Sequence, residues 1–162
     1  MIKWTGFLCL LVFAVGCAPA IPGPYLMRVD RSATYTAVRK NAPRYRGTVV
    51  AWGGYIHETR NTRKGTYVEI IETPLNYRNR PEAMDGTRGR FLLLHPGFAE
   101  PARYAPGKGI TVVGEFRGME QRQLGEIDYP YPVLLRLYDR LWTPGERPDV
   151  HIGIGVGAVF GH

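Results

Sequence analysis

From Gly47 onward, apolar and polar positions alternate with a period of two in several short segments, the pattern of half-buried β-strands. The alternation is clearest at residues 110–117 and 133–138, while a β-branched run at 66–72 and an apolar run at 90–95 indicate two further strands. The pattern therefore predicts five strands, at residues 47–56, 66–72, 90–95, 110–117 and 133–142. Within the first of them, the pair Gly53-Gly54 predicts a bulge or a sharp coil.

These five predicted strands favour closure into a small barrel, because closure removes the exposed edges that an open sheet of this size leaves. We predict a mostly β fold, a five-stranded barrel like that of oligonucleotide/oligosaccharide-binding (OB) domains, with a β-sandwich as the alternative. Asp30 is placed to cap a short helix that runs to Lys40. The 20 glycines and 13 prolines predict frequent turns, and the last twenty residues form a Pro/Gly-rich tail.

The beginning of the chain has a different pattern, an uncharged apolar run over residues 4–16 that ends at Cys17. This run follows Lys3 and is typical of a signal peptide, since it is too short to span a bilayer and prolines follow it. Residues 14–17, Ala-Val-Gly-Cys, resemble a bacterial lipobox, in which small residues precede a cysteine that is acylated before cleavage. We predict these units: signal peptide 1–16, lipidated tether 17–29, helix and barrel 30–142, and tail 143–162.

The lipobox resemblance makes Cys17 the lipidated N-terminus of the mature protein, which would then lie on a membrane instead of crossing it. Because Ala18, not aspartate, follows the cysteine, the pattern indicates the outer membrane. Cys9 and Cys17 are the two cysteines of the chain, so the mature domain is expected to fold without a disulfide.

Residues that could carry out chemistry are few, and their spacing does not indicate a catalytic or metal site. The four histidines are scattered, and the one serine, Ser32, lies at the predicted helix cap. The carboxylates of Glu126 and Asp128 share a strand face, but at a turn they more often bind local backbone or arginines. We expect no enzyme activity, no metal and no cofactor.

The net charge of +7 indicates a surface that suits anionic partners, although a simply solvated basic surface explains the same charge. Basic loops interleaved with tyrosines could also form a single-strand nucleic-acid groove on an OB-like barrel. An exported lipoprotein meets little nucleic acid. We therefore rank anionic lipid, lipopolysaccharide phosphates or an envelope protein above nucleic acid as partners.

Several short motifs follow one another in a recognisable order. They are Trp52-Gly53-Gly54, Pro74-Leu75, Gly89-Arg90-Phe91, the run ITVVG at 110–114 and the run GEIDYPYP at 125–132. Behind a lipoprotein-like leader, this ordered set resembles the Slp family of bacterial outer-membrane lipoproteins over residues 45–142. The resemblance implies a lipid-anchored envelope protein of Gram-negative bacteria, associated with starvation or stationary phase. It implies no established catalytic activity.

Two hypotheses of function follow. The first is a non-catalytic structural or interaction module, held by Cys17 at the periplasmic face of the outer membrane. The alternative is a periplasmic ligand-binding barrel that takes a glycan, a small ligand or an anionic polymer, with Trp52, Tyr129 and Tyr131 as the ligand-binding residues.

Overall fold

The computed structural model describes residues 19–143, which form five strands and a few short helical segments. The strands are β1 Val49–Thr62, β2 Gly65–Thr73, β3 Gly89–His95, β4 Gly109–Leu124 and β5 Ile127–Trp142. Two α-helices, α1 Gly23–Leu26 and α2 Tyr35–Lys40, precede them, and 3₁₀ turns lie at Ala42–Tyr45 and Met84–Gly86. All five predicted strands are present, but three of them are longer than predicted. β1 and β4 continue past their predicted ends, and β5 begins before its predicted start.

The strands close into a barrel in the order β1-β2-β3-β5-β4, with β4 pairing back onto β1. Neighbouring strands are antiparallel except β3 and β5, which run parallel through Leu92 opposite Val133. A closed five-stranded barrel of this kind confirms the predicted mostly β, OB-like fold over the β-sandwich. The predicted tail lies outside the described residues except for Thr143.

The core of the barrel is closed at both ends by segments outside the strands. Tyr35 and Val38 of α2 are buried at one end, where the Tyr35 hydroxyl donates to the Arg90 carbonyl at the start of β3 (3.0 Å). Tyr104, from the connection between β3 and β4, is buried at the other end, with its ring 6.3 Å from that of His95 at the end of β3. Each closure removes the apolar interior of the barrel from water.

The helix that closes the first end begins later than the sequence pattern indicated. Thr34, not Asp30, is the N-cap, and its hydroxyl accepts the backbone N–H of Ala37 (3.2 Å). The Asp30 carboxylate instead accepts the N–H and the hydroxyl of Ser32, which makes a tight turn before the helix. Thr34 directly precedes Tyr35, whose side chain is buried against the barrel, so the helix begins at the residue where tertiary packing supports it.

The bulge in β1 also differs from the prediction, since the register shift lies between Ile56 and Glu58. The two glycines allow close packing instead. A Cβ on Gly54, where φ is +157°, would lie 1.9 Å from the Ile71 carbonyl oxygen, and one on Gly53 would lie 2.3 Å from Leu75. Two further shifts, between Val113 and Gly114 and between Phe116 and Gly118, interrupt the regular pairing of β4 with β5 before their terminal arm.

Candidate functional site

The extended ends of two hairpins border a groove of about 420 Å³ on the outer side of the barrel. Residues 58–62 of the β1–β2 hairpin lie on one side of it, and residues 122–123 of the β4–β5 hairpin lie on the other. The groove is lined by Glu58, Arg60, Thr62, Tyr67, Glu69, Leu92, Arg122, Gln123 and Tyr131. In OB barrels the face made by the second and third strands is the one that binds oligomeric ligands, and here β2 and β3 supply the floor together with β5.

The floor of the groove is an apolar cluster on the outer face of the sheet, separate from the barrel core. Tyr67, Leu92, Tyr131 and Val133 are all buried within it. Val68, Leu93 and Leu134 point into the barrel core. Because side chains alternate along a strand, the residues before them, Tyr67, Leu92 and Val133, face outward, and the pairing of β2, β3 and β5 brings them together. The side chains that border the groove shelter this second cluster from solvent.

Charged groups in the groove are paired with one another. The Glu69 carboxylate accepts the Arg90 guanidinium and the Tyr131 hydroxyl, the latter at 3.1 Å. Burial of the phenol, together with the nearby Glu69 charge, raises the pKa of Tyr131 to about 12. The Arg122 guanidinium stacks 4.2 Å from the centre of the Tyr67 ring and bonds Glu120 at 2.8 Å. The groove therefore presents polar hydrogen-bonding groups with little net charge.

Tyr129 lies beside the groove and ties α2 to the barrel. Its hydroxyl accepts the Arg39 guanidinium and the backbone N–H of Arg90 (3.2 Å), and it lies 3.3 Å from the Tyr35 hydroxyl. Burial raises the pKa of Tyr35, and its hydrogen bond with Tyr129 acts in the same direction. The rings of Tyr129 and Tyr131 are in contact, with centroids 4.8 Å apart.

Trp52 lies on the inner side of the barrel wall, away from the groove floor. It is 4% exposed, its indole N–H donates to the Ala33 carbonyl (3.1 Å), and its ring packs edge-on against Tyr35 and Phe91. One edge also lines a second cleft, of about 490 Å³, at the end closed by α2. Of the three aromatic residues predicted to bind ligand, the structure brings Tyr129 and Tyr131 together and separates Trp52. Their binding of a ligand stays a prediction.

The second cleft contains a buried carboxylate. Glu72 is 1% exposed and accepts two hydrogen bonds from the guanidinium of Arg88, which reaches it from the connection before β3. This ion pair raises the pKa of Arg88, and the hydrogen bond is the largest cause. Sequence reasoning did not single out either residue, because sixteen positions separate them and a turn intervenes.

Within residues 19–143, no group of three or more His, Cys, Asp or Glu side chains is placed to hold a metal ion. Glu126 and Asp128 are both exposed at the turn between β4 and β5, where the Asp128 carboxylate accepts the Gln123 amide (2.6 Å). None of the helices in this part of the chain is long and apolar enough to cross a membrane. Cys17, the predicted lipidation site, precedes the described residues.

The part of the predicted tether that the structure describes packs on the barrel. Ala20 and Ile21 are buried, and the Ala20 carbonyl accepts the hydroxyl of Tyr138 on β5 (3.2 Å). The Tyr25 ring of α1 stacks on that of Tyr138, with centroids 5.1 Å apart. Nothing in the apolar pattern of residues 17–29 indicated where this segment would dock, since the contact depends on the outer face of a strand far along the chain.

The fold and the leader together define the class of this protein, an exported domain built on a small closed β-barrel. The model of the Slp family of outer membrane lipoproteins matches residues 14–155, nearly the whole chain. The chain therefore belongs to the Slp family and is an outer membrane lipoprotein. This confirms the resemblance carried by the motifs between Trp52 and Pro132.

Two curated relatives are similar to part of the chain. An uncharacterized protein of Haemophilus influenzae is 32% identical over 95 residues, which cover 58% of this chain and 51% of that protein. The uncharacterized lipoprotein YeaY of Escherichia coli K12 is 30% identical over 90 residues, which cover 56% and 46% respectively. The chain thus spans about half the length of the curated relatives it matches. No solved structure matches it.

Proposed function

We propose that this lipoprotein is a non-catalytic structural or interaction module of the cell envelope, held at the periplasmic face of the outer membrane by acylated Cys17. The observation that carries the proposal is the family match from residue 14 onward, which includes the lipobox-like residues Ala14 to Cys17. A lipidated terminus with more than one acyl chain holds a protein stably on a membrane surface.

The arrangement of polar groups supports a non-catalytic assignment. Catalytic acids and bases are held so that they can exchange protons with a substrate. Here the two carboxylates most deeply enclosed, Glu72 and Asp139, are engaged by Arg88 and by Arg136 with Tyr104. Such pairs stabilise a fixed structure and leave no proton acceptor free at these positions.

The anchor is tested by intact-mass analysis of protein recovered from bacterial membranes, comparing the wild type with Cys17→Ser. A mass equal to residues 17–162 plus acyl groups, lost in the variant, is the expected result. The periplasmic orientation is tested by adding protease to intact cells and to cells with a permeabilised outer membrane. Cleavage in intact cells would contradict the proposed orientation, and an unacylated protein would contradict the anchor.

The physiological setting that we propose, adaptation to starvation or stationary phase, rests on the family resemblance. It is tested by competing a deletion strain against its parent through prolonged stationary phase, with complementation by the wild type and by Cys17→Ser. Loss of the deletion strain, rescued by the wild-type gene, is the expected result. Equal survival of the two strains would remove the starvation link and leave the anchor unaffected.

A second candidate function is binding of a neutral glycan in the groove. The groove lies on the face of the barrel that includes β2 and β3, where OB barrels bind oligosaccharides. Its lining of amide, hydroxyl and mutually paired charged groups also favours a neutral ligand. Calorimetric titration of the lipoprotein with a chito-oligosaccharide tests it, with Gln123→Ala as the groove variant and Gln121→Ala as the control. Saturable heat that the groove variant weakens supports glycan binding, and absence of heat argues against this class of ligand.

A further inference from the structure

The connection between Cys17 and the barrel is very short. A single residue, Ala18, separates Cys17 from Pro19, whose carbonyl accepts the Arg140 guanidinium of β5 (3.5 Å). Each residue of an extended chain spans at most about 3.6 Å, so the Cα atoms of Cys17 and Pro19 lie within about 7 Å of each other. Acyl chains on Cys17 therefore bring the β5 wall of the barrel against the bilayer surface.

The part of β5 that receives the N-terminal segment has three large side chains on its outer face. Tyr138, Arg140 and Trp142 alternate along the strand, whereas Asp139 and Leu141 between them face inward. The Trp142 indole N–H donates to the hydroxyl of Thr111 on β4 (2.9 Å), which fixes the orientation of its ring. We call the surface formed by Tyr138, Arg140, Trp142 and Arg80 the anchor face.

Arg80 reaches the anchor face from the connection between β2 and β3. The Thr111 hydroxyl donates to the Asn79 carbonyl (2.6 Å), and this bond holds the connection against β4. The guanidinium carbons of Arg80 and Arg140 lie 5.1 and 4.4 Å from the centre of the Trp142 ring. Two guanidinium groups thus stack on one indole, in contacts that favour cations near an aromatic face. Trp142 itself is only 8% exposed, so the half-buried arginines, not the indole, form the surface of the anchor face.

Neither of these arginines has a carboxylate partner. Of the sixteen arginines between residues 19 and 143, six form ion pairs with glutamate or aspartate, and ten, including Arg80 and Arg140, have no carboxylate of this part of the chain within 4.0 Å. Arg80 and Arg140 differ from the other eight because both stack on the same indole. Guanidinium groups bind phosphate oxygens through two parallel hydrogen bonds.

From this geometry we infer that the anchor face rests on the bilayer, where Arg80 and Arg140 bind the phosphates of lipid headgroups on either side of the indole. The inference rests on the proposed acylation of Cys17, since that anchor brings the face to the lipid. The barrel then has a defined orientation on the membrane, with β5 toward the headgroups, and does not swing on a flexible linker.

Fluorescence quenching tests this orientation, using the acylated protein, verified by mass, in vesicles of phosphatidylethanolamine and phosphatidylglycerol. The predicted mature chain contains two tryptophans, Trp52 in the core and Trp142 on the anchor face. A lipid with a spin label on its headgroup should quench the wild type strongly. In the Trp142→Phe variant only Trp52 emits, and its emission should be nearly unaffected.

The contribution of the arginines is measured with Arg80→Gln/Arg140→Gln against Arg63→Gln/Lys64→Gln, which removes the same charge from the exposed β1–β2 turn. Removing each arginine of the first pair should lower the ratio of barrels in contact with the bilayer to barrels away from it about fivefold at low salt. We expect weaker quenching in the first double variant and wild-type quenching in the second.

Three results would overturn the inference in distinguishable ways. Acylated wild type whose Trp142 is not quenched shows that the barrel stands away from the lipid, while the proposed anchor survives. Equal losses in both double variants show that net charge, not the anchor face, attracts the membrane. A protein without acyl groups removes the proposed function and this inference together.

Discussion

The groove and the anchor face lie at different parts of one barrel and differ in how their arginines are paired. The groove includes residues 131–133 in the first half of β5, and the anchor face includes residues 138–142 at its end. In the groove, Arg60 and Arg122 pair with Glu58 and Glu120, and Arg90 pairs with Glu69 in the floor. On the anchor face, Arg80 and Arg140 stack on Trp142 and have no such partner within residues 19–143. The same residue type serves internal structure in the groove and remains available to an external anion on the anchor face.

Because of this contrast, substitutions in the groove and on the anchor face should affect the free energy of unfolding differently. Removing one member of a partly buried ion pair leaves the other charge without its partner, whereas removing a half-buried arginine that has no carboxylate partner leaves no buried charge behind. Variants in the groove should therefore change stability, and variants on the anchor face should change membrane contact with little effect on stability.

The largest effect is expected for Glu69→Ala, which leaves the Arg90 guanidinium and the buried Tyr131 hydroxyl without their shared acceptor. The free energy of unfolding should fall by about 2–3 kcal/mol. Urea denaturation followed by circular dichroism measures the change. Glu58→Ala, which removes a carboxylate from an exposed pair in the same groove, is the control and should cost less than about 1 kcal/mol. Equal losses would contradict the distinction between floor and rim.

The second largest effect is a loss of stability at alkaline pH, caused by ionisation of Tyr131. Because the folded protein holds the pKa of Tyr131 near 12, above the ordinary tyrosine value of about 10, folding favours the protonated phenol. Its contribution to stability is complete below pH 10 and is lost as the pH rises from 10 to 12. Denaturation curves across that range should decline in the wild type and decline less steeply in Tyr131→Phe. Identical slopes would show that this phenol ionises equally well in both states.

A smaller effect is expected for Tyr131→Phe at neutral pH, where only the hydrogen bond to Glu69 is lost. Unfolding should become easier by about 1 kcal/mol, measured by urea denaturation. Tyr77→Phe, at a side chain that is 85% exposed, is the matched control and should change nothing measurable. In the double variant Glu69→Ala/Tyr131→Phe the losses should not add, because both remove one interaction. Additive losses would argue against the contact.

The smallest effect on stability is expected for Arg140→Gln. Its guanidinium makes a long hydrogen bond to the Pro19 carbonyl (3.5 Å) and stacks on Trp142, but no carboxylate in the described part of the chain pairs with it. The free energy of unfolding should therefore stay within about 0.5 kcal/mol of the wild type. Thermal denaturation of the detergent-solubilised lipoprotein measures it. A loss as large as that of Glu69→Ala would show that Arg140 holds the N-terminal segment to β5, and would contradict the contrast between the groove and the anchor face.

Much of the fold could be predicted because strand alternation is local. The pairs of residues that define each strand are neighbours in sequence, so the strands at 66–72 and 90–95 were found almost at their observed bounds. The extended arms of β4 and β5 were missed, since residues 118–132 carry polar side chains and prolines that favour no strand by themselves. Their pairing with each other supplies the hydrogen bonds that local propensity does not.

The candidate sites are less predictable, because the alternation of side chains along a strand does not show which of its two faces points into the barrel. The sequence places Trp52 and Tyr131 in one predicted set of ligand-binding residues, yet Trp52 lies in the core and Tyr131 lies in the floor of the groove. Arg80 and Arg140 were not distinguished from the other cations. Sixty positions separate them, and Trp142 joins them only after the barrel has closed.

By itself, the sequence determined what depends on neighbouring residues: the period of the strands, the apolar leader ending at Cys17, and the ordered motifs of the Slp family. Tertiary structure decided which charges are paired, where the N-terminal segment docks and where the groove and the anchor face lie. The physical reason is that pairing, burial and stacking depend on distances between side chains. Those distances follow from the closure and register of five strands, which bring together residues far apart in the chain.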